Sequence, residues 1–91
     1  MTPAQETFER DVQEVLADVG DLLIKKNAQY GDSALDPMRI FSRASTVEQL
    51  KVRLDDKLSR LARGVGEDED VERDLMGYLV LLRVARMRGE K

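Results

Sequence analysis

The chain has 91 residues, 15 basic and 18 acidic, for a formal charge of −3; 42% hydrophobic and 36% charged residues are the mix of one small globular domain, residues 1–91, rather than of a disordered tail. It has no Cys, His or Trp, which excludes disulfides, thiolate nucleophiles, imidazole bases and zinc sites built on Cys or His. Chemistry is left to carboxylates, Lys, Arg, Tyr and Ser, or to a hard metal ion held by oxygen.

Thr2 opens the first predicted helix as N-cap, with Pro3 at its first position and Gln5 completing a T-x-x-Q capping box. Phe8, Val12, Val15, Val19 and Leu22 recur at three- and four-residue steps and share one face, in a helix expected over residues 3–28. Tyr30, Gly31, Asp32, Ser33 and Asp36 are turn residues, and Asp36-Pro37 predicts a short helix over residues 37–43. Ser45 and Glu48 form an S-x-x-E capping box for a helix over residues 46–63, striped by Val47, Leu50, Leu54, Leu58 and Leu61 and ended by Gly64-Val65-Gly66. Glu67, Asp68 and Glu69 suit the positive N-terminal end of a last helix over residues 69–88. Residues 75–82 of that helix are apolar on every side, which predicts burial all round. A chain this short buries only about 60–65% of its surface, so a homodimer or higher homo-oligomer packing through the last helix is expected. The fold class is all-α: a bundle of three long helices and one short one.

No apolar run approaches the ~20 residues of a membrane span, and the polar residues 1–13 do not read as a signal peptide. The expectation is a cytoplasmic protein with no membrane partner. The acidic balance also argues against duplex nucleic acid, whose phosphates need many cations.

Polar stripes beside these apolar faces are the candidate sites. Arg53, Asp56, Lys57 and Arg60 share one flank of the 46–63 helix, and Asp70 and Asp74 lie four residues apart on the last one. A carboxylate beside so apolar a stretch requires cations or a metal. In an antiparallel hairpin, Arg60 falls near Asp70 and Lys57 near Asp74, and two ion pairs would satisfy all four. Alternatively, Asp56, Asp70 and Asp74 hold Mg²⁺ while Arg53, Lys57 and Arg60 bind phosphate oxygens. Residues 26–33 (Lys26, Asn27, Tyr30, Asp32 and neighbours) offer an amide, an aromatic ring and a turn for a sugar or base, or else a capped helix end. Glu14, Asp18 and Asp21 read as a solvated flank or a further metal-facing group.

Three segments stand in order: Lys26-Asn27-x-x-Tyr30-Gly31-Asp32-Ser33, Arg53-x-Asp55-Asp56-Lys57-x-x-Arg60-Leu61 and Asp70-x-x-x-Asp74-Leu75-x-Gly77-Tyr78. Across residues 26–82 they resemble the nucleotide-modification-associated domain family of phages and bacteria, which itself looks like a distant, compact relative of the all-α MazG-like nucleoside triphosphate pyrophosphatases. The resemblance implies a Mg²⁺-dependent helical oligomer of phage or bacterial nucleotide metabolism that cleaves an NTP or dNTP to the monophosphate and pyrophosphate. It aligns Asp74 with the last acid of the E-x-x-D pattern. Val71 stands where that pattern has Glu, and there is no E-x-x-E, so Asp70 and Asp56 become the substitute ligands. A non-catalytic nucleotide-binding or sequestering module and a purely structural helical oligomer are the other readings.

Overall fold

The computed structural model describes residues 1–64 and 70–91. Val65 to Glu69, with the acidic helix start expected at Glu67, Asp68 and Glu69, lie outside the described residues. Among the described residues there are three helices, α1 (Pro3–Tyr30), α2 (Thr46–Arg63) and α3 (Val71–Met87), and no strand. Among the described residues no helix is long and apolar enough to cross a membrane.

The caps explain the helix starts. The Gln5 amide N–H donates to Thr2 Oγ1 (3.1 Å) and the Thr2 N–H to Gln5 Oε1 (2.7 Å), which satisfies two of the first orphan donors of α1. Helix α1 reaches Tyr30, two residues past the expected end, and Gly31 stops it at φ 68°, a conformation only glycine adopts without strain. The box at Ser45 is half formed: Ser45 Oγ accepts the Glu48 N–H, while the Glu48 carboxylate turns to Lys51 at 3.5 Å. Asp70 is the N-cap of α3, its carboxylate accepting the Arg73 N–H at 3.0 Å.

The short helix expected over residues 37–43 does not form. Its apolar residues Met38, Ile40 and Phe41 are exposed, so it has no buried face to offset the cost of nucleation. Side-chain bonds hold this segment in a non-helical path instead. Arg39 donates to the Ala44 carbonyl (2.6 Å) and to Thr46 Oγ1 (3.1 Å), and the buried Thr46 hydroxyl donates to the Leu35 carbonyl (3.1 Å). Leu35 is thereby set into a core with Val47, Leu50 and Ala85, against which Tyr78, Leu81, Leu82 and Val84 pack.

Helix α3 is central: α2 packs along it and α1 packs on it, while α1 and α2 do not pack on each other. This accounts for much of its all-round apolar character, since two faces are covered within the chain itself. Met76, Leu79 and Val80 remain on an outer strip. The cross-contacts fix the directions. Lys57 meets Asp74 and the Val47 N–H meets the Lys91 carbonyl, so α2 and α3 are antiparallel. Asp18 meets Arg73, Leu23 meets Gly77 and Asp32 meets Arg88, so α1 runs parallel to α3.

Candidate functional site

The first, second and third segments singled out in the sequence converge on one cavity. It has a volume of about 310 Å³ and lies between the C-terminal half of α1, the turn after it, Arg53 of α2 and the face of α3 that carries Asp74, Gly77, Tyr78 and Leu81. Helical spacing produces this wall. Asp74 is followed by Gly77, Tyr78 and Leu81 at three, four and seven residues on α3, and Leu23, Lys26, Asn27 and Tyr30 repeat the pattern on α1. Gly77 sets the depth. A Cβ built there would lie 3.3 Å from Leu23 Cδ2, so a side chain at this position would crowd α1.

Chemically the cavity has an apolar floor of leucines, two tyrosine rings, the Asn27 amide, cations at Lys26 and Arg53, and carboxylates at Asp32 and Asp74. Each carboxylate has an internal partner. Lys57 Nζ lies 3.2 Å from Asp74 Oδ2, the ion pair expected of the hairpin, with both side chains mostly buried. Asp32 accepts from Asn27 Nδ2 at 2.9 Å and from Arg88 at 3.1 Å. A carboxylate only accepts, so Asn27 must turn its NH₂ toward Asp32, which leaves its carbonyl oxygen for another donor. The Asp32 carbonyl accepts the Leu35 and Asp36 N–H groups and closes the turn that walls the cavity.

Of the sequence-derived residues, Lys26, Asn27, Tyr30, Asp32, Arg53 and Asp74 line the cavity and Lys57 joins through Asp74. Arg60, Asp56 and Asp70 do not line it. Arg60 and Asp56 lie exposed on α2, and Asp70 serves as a cap. Among the described residues no group of three acidic side chains could hold a metal ion, so Asp56, Asp70 and Asp74 do not assemble into one centre. The physical reason is position: the helix starts just after Asp70, so its carboxylate turns onto the Arg73 N–H, while Asp74 turns onto Lys57.

Two contacts escaped the sequence reading. Arg88 ties the turn to the end of α3 from 56 residues away, a separation that no local pattern reveals. Arg73 grips Asp18 with two parallel bonds of 2.8 and 2.9 Å, so Asp18, exposed on the solvated flank of α1 as expected, also ties α1 to α3. Tyr78 and Leu81 were legible as core, and their spacing from Asp74 was the signal that they also face the cavity.

Compared with protein-family models, with curated proteins and with solved structures, the chain matches none.

Proposed function

We propose that this chain binds a nucleotide in the cavity between α1 and α3. The observation that carries the reading is the convergence of Lys26, Asn27, Tyr30, Asp32, Arg53 and Asp74, from three separate segments, on one concavity of about 310 Å³. That is the lower end of the range for sites that bury a small organic ligand. Tyr30 offers a ring for stacking a base, and the Asn27 carbonyl oxygen accepts from a sugar hydroxyl or an amino group. Lys26 and Arg53 neutralise phosphate oxygens, Arg53 with a planar fork suited to two of them. All these groups belong to one chain, so binding does not require the homo-oligomer expected from the sequence.

A dNTP or NTP pyrophosphohydrolase of the MazG-like kind is the catalytic form of this reading, favoured by Asp74 on the cavity wall beside Lys57. In that form Asp74 would hold a Mg²⁺ ion shared with the polyphosphate, which would supply charge stabilisation to the phosphates, since Mg²⁺ takes one or two carboxylates together with waters and phosphates. The binding-only form is favoured by the internal partners that both cavity carboxylates already have.

One set of titrations separates these. Thermal shift is measured with dNTPs, NTPs and monophosphates, with Mg²⁺ and with EDTA, beside a turnover assay for pyrophosphate. Nucleotide-dependent stabilisation supports the proposal, and its absence across the panel refutes it. Pyrophosphate release that needs Mg²⁺ and is lost in Asp74→Asn supports the hydrolase form. Stabilisation equal in EDTA, without turnover, supports the binding module.

A further inference from the structure

The N-terminal half of α1 stands clear of the body. Helix α3 begins opposite Asp18, which Arg73 holds, and α1 runs parallel to it. Residues 3–17 therefore project about 22 Å beyond the start of α3, at 1.5 Å per residue. The face that carries Val19, Leu22 and Leu23 onto α3 continues along this overhang as Phe8, Val12, Val15 and Leu16. There it is bare, with Phe8 70% and Leu16 62% exposed. An unpacked helix of some 15 residues is marginal in water, so this stretch needs something to lie on.

The missing area has a size. The accessible surface is 7245 Å² for 10.3 kDa, against about 5,400 Å² for a compact monomer of that mass. The radius of gyration is 15.5 Å, against about 12 Å for a compact domain of this length. The excess of roughly 1,900 Å² per chain lies in the range that each subunit of an obligate homodimer buries, about 1,000–2,500 Å². Leu58 and Leu61 are half-exposed on the last turns of α2, at the end of the hairpin from which the overhang departs.

We propose that a second copy of this chain covers the overhang: each α1 lays Phe8, Val12, Val15 and Leu16 across the other copy's hairpin end, where Leu58 and Leu61 receive them, in a two-fold exchange. The interface is thus built on α1 and the end of α2, not on α3 alone, and it leaves the nucleotide cavity open at the opposite half of α1.

Sedimentation equilibrium from 1 to 100 µM tests this, with circular dichroism at 222 nm as the folding control. The wild type is expected at twice 10.3 kDa. Phe8→Glu with Val12→Glu, and separately Leu61→Glu, are expected to yield monomers with the α2–α3 hairpin still folded. The Phe8/Val12 pair also loses helix signal as the overhang frays. Phe41→Glu, at a residue 97% exposed in the 37–45 segment, is expected to remain dimeric. A wild type that is monomeric at 100 µM overturns the proposal. So does a dimer that survives both α1 and α2 variants, or one that only Phe41→Glu dissociates. Should either disrupting variant fail to fold, Val15→Lys and Leu58→Lys repeat the test at neighbouring exposed positions. Nucleotide binding is read on the same monomers, so failure of the dimer and failure of the nucleotide site are separate results.

Discussion

Removing the Asp74 carboxylate while keeping its shape, as Asp74→Asn, leaves the Lys57 ammonium beside an amide. The two side chains are 16% and 22% exposed and their charged atoms are 3.2 Å apart. Exposed pairs are worth about 0.2–1 kcal/mol, and breaking a fully buried pair costs about 3–5 kcal/mol. A mostly buried pair falls between, so Asp74→Asn is expected to cost about 2 kcal/mol. For a chain of this length that lowers Tm by about 8–16 °C. Lys57 has a further interaction besides Asp74, so Lys57→Met is expected to cost at least as much. The double variant should recover most of one loss, because neither charge is then orphaned, with a coupling energy of about 1–2 kcal/mol. Urea unfolding followed at 222 nm, with unchanged m-values, measures all four corners of the cycle. A coupling below about 0.5 kcal/mol would show that the pair does not hold the hairpin, and the assignment of Asp74 as a shared structural and ligand-facing group would go with it.

Thr46→Val keeps the volume but removes the hydroxyl that binds the Leu35 carbonyl and receives Arg39. A cost of about 1–3 kcal/mol is expected from the buried carbonyl left without a donor, read by the same urea titration. Arg88→Ala breaks an exposed pair, so stability should change by less than about 1 kcal/mol. Its effect should appear instead as weaker nucleotide binding by calorimetry, since the turn that carries Asp32 loses its tether. Arg53→Ala should weaken triphosphate binding by about tenfold or more, and monophosphate binding less, as the loss of a charge-assisted contact of about 1.5–3 kcal/mol implies. Gly77→Val should destabilise the fold and abolish nucleotide binding together, because its side chain meets Leu23 across the cavity; unchanged binding would place the ligand elsewhere.

The sequence by itself determined the helices and most of their ends. Apolar residues at three- and four-residue steps, Thr2 and Ser45 as caps, and glycine at 31 and 64 are local signals, and local hydrogen bonding obeys them. It also paired Lys57 with Asp74, because a short connection forces adjacent helices to run antiparallel. Only the tertiary structure decided the rest. Residues 37–43 read as helix by their Asp-Pro start, yet the Arg39 and Thr46 side chains hold them otherwise. Asp70 read as a ligand, yet the start of α3 one residue later made it a cap. The last helix read as apolar on every side; α1 and α2 cover two of its faces, Met76, Leu79 and Val80 stay exposed on it, and a further bare apolar face stands on α1. Periodicity tells which face of a helix is apolar; which neighbour covers that face depends on where three helices cross, and contacts such as Asp32 to Arg88 leave no trace in any window of sequence.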